Sequence, residues 1–115
     1  MGVIVDIDGT LLSRGVMPIA KTINAVNLNK DVYLVTGRPE SERARTVAAL
    51  KAARVSYKAL LMNNTGSSVP AMQVRSKRAN AVRIMARNTI TQAIDDNPVA
   101  REMYKSLGIA NVTSK

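Results

Sequence analysis

Two kinds of pattern alternate along the chain: short runs of β-branched and aliphatic residues, and longer stretches with a helical period. The first run packs Val3, Ile4 and Val5 ahead of two charges and predicts a strand over Val3–Asp8. Ile19–Leu28 sets Ile19, Ile23 and Val26 on one helical face, although its asparagines weaken the helix. VYLVT, Val32–Thr36, predicts a second strand. Gly37 and Arg38 then turn the chain, and Pro39 suits the first position of a helix running to about Arg54. Glu40 and Glu42 fall in the first turn of that helix, where its dipole favours them. KALLMN, Lys58–Asn63, predicts a third strand, Asn64–Val74 a loop, and Ser76 the cap of a helix to about Arg87. TQAID, Thr91–Asp95, predicts a fourth strand. Asn97 caps the next helix, with Pro98 in its first turn, Gly108 at its end and Val99, Met103 and Leu107 on its buried face. IANVT, Ile109–Thr113, closes the series as a fifth strand.

Strands alternating with helices over 115 residues fit one α/β domain, residues 1–115. The expected architecture is a Rossmann-like, three-layer fold with a five-stranded parallel sheet and helices on both faces. In such sheets functional groups gather beyond the carboxyl ends of the strands. Here the first strand ends in Asp6-Ile7-Asp8, the second in Thr36-Gly37-Arg38 and the fourth in Asp95-Asp96, while Lys77 opens the helix after the third. Each of these groups can handle a phosphate or a metal ion.

Composition narrows the chemistry. The chain has no Cys, His, Phe or Trp, so disulfides, thiolate metal sites and imidazole acid–base catalysis are excluded. Carboxylates, Lys, Arg, hydroxyls and a hard metal ion remain. No apolar run approaches the roughly 20 residues that span a bilayer, and the N-terminal run is broken by Asp6, unlike a signal peptide. A cytoplasmic protein without membrane contact is the expectation. Lys and Arg number 17 against 8 Asp and Glu, for a net charge of +9. Four of the acids form the pairs Asp6/Asp8 and Asp95/Asp96. If both pairs share one site, a positive surface surrounds a negative pocket, which suits a polyanionic partner.

Two like charges on adjacent same-side positions are tolerated when a divalent cation holds them or one carries a proton. Gly9 permits the backbone to turn beside a ligand. DIDGT, then VTGR, then a lysine opening a helix, then IDDN resemble, in this order and strand context, the haloacid dehalogenase superfamily of phosphotransferases. The resemblance covers essentially the whole chain and implies the core domain of that superfamily without a cap, with sheet order 5-4-1-2-3. It also implies a mechanism. Asp6 would be the nucleophile, forming an aspartyl-phosphate, and Asp8 the general acid and base. Mg²⁺ would be held by Asp6, the main-chain carbonyl of Asp8 and Asp95, with Asp96 in the outer sphere. Thr36 would donate a hydrogen bond to a phosphoryl oxygen, and Lys77 would offset charge in the transition state. Receiver domains use similar groups, but their phosphorylated Asp ends the third strand, and no acidic residue lies between Glu42 and Asp95 here.

The segments where cap domains enter, Leu11–Pro18 and Asn64–Ser76, are too short to hold one, so the site should be open and able to admit the end of a large molecule. VTGRPES, ALLMNN and AIDDNPVAREMYKSLGI are similar to the phosphatase domain of polynucleotide kinase/phosphatase and its phage relatives, which implies removal of 3′-phosphates from nucleic-acid ends. The loop NNTGSS departs from the basic, Gly-Asp-containing loop of those relatives. Arg38, Arg14 and Gly37 are the candidates for substrate binding. With three tyrosines as the only aromatics, binding should rest on phosphate contacts with little sequence preference. Small-molecule members without a cap are often oligomeric, so the resemblance also allows a homo-oligomer. The chain has no P-loop, so a kinase or ligase activity would belong to a separate chain. A small-molecule phosphatase such as a nucleotidase, and a basic binding protein with little turnover, are the alternatives.

Overall fold

The apolar run near the N-terminus becomes the middle of a sheet because both of its faces can be buried. In a computed structural model, which describes residues 1–114, β1 (Gly2–Val5) is buried throughout. It pairs in parallel with β4 (Val32–Pro39) on one side and β6 (Ile90–Ile94) on the other. β5 (Ala59–Asn63) extends the sheet beyond β4, and β7 (Asn111–Thr113) beyond β6. The order is β5-β4-β1-β6-β7. It carries different numbers from the expected 5-4-1-2-3 because a short antiparallel hairpin, β2 (Leu12–Ser13) and β3 (Met17–Pro18), intervenes after β1. That hairpin has too few apolar positions to show a period of two, so the pattern did not reveal it.

Alternation along the strands builds two cores. Val3, Val5 and Leu34 face α1 (Ala20–Val26) and α2 (Arg43–Ala52), meeting Ile23, Val26 and Leu50. Ile4, Tyr33 and Val35 face α3 (Pro70–Met85) and α4 (Pro98–Ser106), meeting Ala81, Ile84, Ala100, Met103 and Tyr104. Helices therefore cover both faces, as expected for a parallel sheet. Among the described residues no helix is long and apolar enough to cross a membrane.

Several boundaries moved for local reasons. β4 stays extended through Gly37, Arg38 and Pro39, because Pro39 pairs with Asn63 of β5 after a register shift; a 3-10 turn, Glu40–Glu42, then leads into α2. α3 begins at Pro70 rather than at a Ser76 cap: proline occupies the first turn, and its Val69 cap makes no side-chain hydrogen bond, so the usual polar start signal is absent. Ser76 is instead buried inside the helix. In α4 Asn97 does cap, accepting from the Val99 and Ala100 amides at 2.9 and 3.4 Å. The buried face of α4 is Ala100, Met103 and Tyr104; Val99 points to solvent. Tyr104 is fully buried.

Candidate active site

The carboxyl ends of β1, β4 and β6 meet at one side of the sheet. β1 ends at Val5, and the chain coils at once: the Ile7 carbonyl accepts from the amides of Thr10, Leu11 and Leu12 at 3.2, 2.9 and 3.0 Å. Gly9, at φ +78°, supports that coil. The coil separates the two carboxylates. Asp6 turns inward and is buried, whereas Asp8 is exposed, so they are not same-side neighbours on a strand.

Each takes a different cation. Lys77 Nζ donates to Asp6 Oδ1 at 3.2 Å and to Asp95 Oδ2 at 2.8 Å, and all three side chains are nearly inaccessible. Lys77 reaches this point from the second turn of α3. Arg38 holds Asp8 with two parallel bonds, Nε to Oδ2 at 2.9 Å and Nη2 to Oδ1 at 2.8 Å. The same guanidinium donates to the Gly15 carbonyl at 2.8 Å and to Thr46 Oγ1 at 3.1 Å, which ties the hairpin tip to α2.

Burial pushes the Asp6 carboxyl well above the usual carboxylate range, and the charges on Asp95 and Asp96 add to that, while Lys77 opposes it. Burial alone would lower the Lys77 ammonium, yet Asp6 and Asp95 more than offset it and hold its pKa up, so Lys77 stays charged. Negative charge therefore exceeds positive at the centre. Oxygens of Asp6, Asp95 and Asp96 lie within 4.8 Å of one another. A hard divalent cation fits this all-oxygen donor set, and its charge would remove the repulsion that raises Asp6. Asp96 approaches so closely that a Cβ on Gly9 would collide with its carboxylate, which explains glycine there.

An open cleft of about 870 Å³ lies above this centre, lined by Asp6, Asp8, Arg14, Gly37, Arg38 and Lys77 among others. The structure thus gathers Asp6, Asp8, Lys77, Asp95 and Asp96, with Arg38, Arg14 and Gly37 around them. Arg14 is exposed on the hairpin and makes no hydrogen bond from its side chain among the described residues. Thr36 differs from expectation: it is fully buried, absent from the cleft lining, and its hydroxyl accepts from the Arg38 amide at 3.1 Å. It holds the backbone that carries Arg38.

Four contributors escaped the sequence reading. Thr10 hydroxyl makes a long contact of 3.4 Å to Asp6 Oδ2, although DIDGT contained it. The Asn97 amide donates to Asp95 Oδ1 at 3.0 Å, so the α4 cap also orients the buried carboxylate. Gln73 packs against Gly37 in the cleft wall, and Arg45 lines the rim. Gln73 had no signal while α3 was expected to start three residues later.

A solved structure shares this fold. It is of the Pnkp1/Rnl/Hen1 RNA repair complex, and the match has a TM-score of 0.79 at 20% identity. The match covers 98% of this chain and 42% of that one, so this chain spans less than half of its neighbour's length. At that identity the likeness speaks for the α/β fold. No protein-family model and no curated protein sequence matches the chain.

Proposed function

We propose that this protein is a Mg²⁺-dependent phosphomonoester hydrolase of the haloacid dehalogenase type, removing 3′-phosphates from nucleic-acid ends. The observation that carries the reading is the buried Asp6–Lys77–Asp95 set at the floor of an open cleft. A carboxylate kept out of water beside a fixed ammonium is a poised nucleophile. The likeness to a chain of an RNA repair complex supports nucleic-acid end processing as the setting, and the net charge of +9 agrees with a polyanionic substrate.

In this reading an Asp6 oxygen attacks phosphorus, and the bond from phosphorus to the ester oxygen breaks. Asp8, at the solvent side, would have to leave the Arg38 fork and take up a proton before giving it to the leaving oxygen; the carboxylate that results is the form Arg38 holds. Water then attacks phosphorus, losing its proton to Asp8, and phosphate departs while Asp6 is restored. Lys77 holds Asp6 in line and offsets the charge that gathers on the phosphoryl oxygens. Asp6, Asp95, Asp96 and the Asp8 carbonyl are the groups that would hold Mg²⁺, whose charge lets an anionic carboxylate approach an anionic phosphate. Arg14 and Gly37 face the cleft as substrate contacts.

A small-molecule phosphatase is the second reading, because 870 Å³ lies within the roughly 300–1,000 Å³ of small-molecule pockets. Phosphate release with Mg²⁺ from a 3′-phosphorylated oligonucleotide, its 5′-phosphorylated twin and a 3′-mononucleotide separates the two. Preferential release from the 3′-oligonucleotide, lost in Asp6→Asn protein and in EDTA, is the expected result. Faster release from the mononucleotide would favour the second reading, and none from any substrate would end both.

A further inference from the structure

The acid-free span between Glu42 and Asp95 has a spatial counterpart. It contains α2, β5, α3 and the interior strand β6; β5 is an edge of the sheet, with α2 on one face and α3 on the other. The charge is not evenly used. Exposed or half-exposed acids elsewhere have cations: Asp31 pairs with Lys58, Glu40 with Arg43, Glu42 with Arg45 and Glu102 with Lys105. α3 has no acidic residue at all. Its Arg75, Arg78 and Arg83, with Arg87 just past its end, are exposed, and none forms an ion pair among the described residues.

α3 starts at the cleft, which its Gln73 and Lys77 line. At about 3.6 residues per turn Arg75 lies on the opposite, outer side of that same stretch, and Arg78, Arg83 and Arg87 continue over the exposed half of the helix away from the cleft. Arg83 and Arg87 line an open groove of about 470 Å³ with Leu61 of β5 and Ile84. Arg83 also borders a smaller hollow of about 220 Å³ along the β5 edge. At 1.5 Å per residue the helical run from Arg75 to Met85 spans about 15 Å, with Arg87 in the turn just beyond it. That is room for several successive phosphates, which lie about 3.4 Å apart along a strand of duplex. Guanidinium forks match phosphate oxygens in geometry as well as charge. No aromatic residue lines the cleft or either of these hollows, which leaves phosphate contact as the means of binding.

We propose that the outer face of α3, with the β5 edge, is a track for the phosphodiester backbone of the polynucleotide whose phosphorylated end enters the cleft. This rests on the phosphatase reading for the identity of that end. An acidic protein surface is the rival occupant.

The test combines Arg75→Gln, Arg78→Gln, Arg83→Gln and Arg87→Gln in one variant. A control combines Lys21→Gln, Lys30→Gln, Lys51→Gln and Arg54→Gln, removing the same charge from the α1/α2 side. Circular dichroism verifies that both fold. Fluorescence anisotropy measures binding of a labelled 3′-phosphorylated oligonucleotide and of a dinucleotide across a KCl series. Phosphate release from p-nitrophenyl phosphate reports the chemistry alone. The parent protein and the control should prefer the long oligonucleotide, and the α3 variant should lose that preference. Its slope of log affinity against log salt should shrink by about 3, at roughly 0.7 per lost contact to a single strand. Release from p-nitrophenyl phosphate should be unchanged. Equal losses in variant and control would overturn the track in favour of general charge. Undiminished affinity in the α3 variant would also overturn it and leave the face to a protein partner. Absence of phosphate release from every substrate would sink the phosphatase reading, while the binding comparison would still decide the track.

Discussion

Asp6 and Asp8 are two residues apart, and the floor and the rim of the cleft treat them in opposite ways. On the floor, Asp6 is 4% exposed and shares a lysine with the wholly buried Asp95. At the rim, the Asp8 side chain is 52% exposed and takes an arginine fork. A buried charge pair is held by scarce partners in a low dielectric, so removing one member leaves an uncompensated charge. At the rim Asp8 is half in water and stays solvated when parted, although the Arg38 side chain that holds it is only 9% exposed. The lesson is that one motif supplies a carboxylate kept out of water and one kept in it, the division that the proposed nucleophile and proton carrier would need.

The largest expected divergence is between Asp6→Asn and Asp8→Asn. Both should abolish or nearly abolish phosphate release: about 10⁴-fold or more for Asp6 as nucleophile, and about 10²–10⁴-fold for Asp8 as acid–base group. Thermal melting should separate them. Asp6→Asn removes a desolvated charge and should raise Tm, whereas Asp8→Asn should stay within about 0.5 kcal/mol of the parent. Equal shifts in Tm would erase the distinction between floor and rim.

Next come the cations. Lys77→Met should destabilise by about 3–5 kcal/mol, since it strands Asp6 and Asp95 together. Arg38→Gln should cost less, about 1–3 kcal/mol, because Asp8 is half in water while the contacts to Gly15 and Thr46 are lost with the guanidinium. Urea denaturation of the two variants reads both numbers; a larger loss for Arg38→Gln would reverse the argument.

Metal and pH sharpen it further. A raised folded-state pKa means that Asp6 contributes stability fully below its ordinary value of 3.8 and loses it as pH rises through the folded-state pKa. A divalent cation bound between Asp6, Asp95 and Asp96 would relieve that loss. Added Mg²⁺ should therefore raise Tm more at pH 7.5 than at pH 5, where protonation of Asp6 competes with it. An equal shift at both pH values would break the link between Asp6 and the metal.

The smallest effect belongs to Tyr104, beneath the floor. Its hydroxyl is buried with no hydrogen-bond partner among the described residues, and burial, then Asp95 and Asp6, push its pKa well up. The neutral phenol keeps its contribution below pH 10, and stability falls as pH rises beyond that. Tyr104→Phe should leave neutral-pH stability within about 0.5 kcal/mol and remove that alkaline fall, as melts across pH would show.

By itself the sequence determined the alternation of strands and helices, the Asn97 cap and the acidic and basic residues of the cleft, since each depends on a short, local pattern. Charges at the carboxyl ends of apolar runs are visible without coordinates, and a parallel sheet brings those ends together. Burial and partnership were not legible. That Asp6 turns inward while Asp8 turns out depends on the coil around the Ile7 carbonyl, which three amides share. That Arg38 binds Asp8, and Thr36 the backbone beneath it, depends on β4 staying extended against β5 through Pro39. That α3 starts at Pro70, and so carries both Lys77 and the arginine face, depends on Asn63 organising the preceding loop through the Ser67 carbonyl at 2.7 Å and the Thr65 hydroxyl at 2.7 Å. These are contacts between residues far apart in the chain or in turns with no periodicity, and only tertiary packing selects among the conformations that local preference allows.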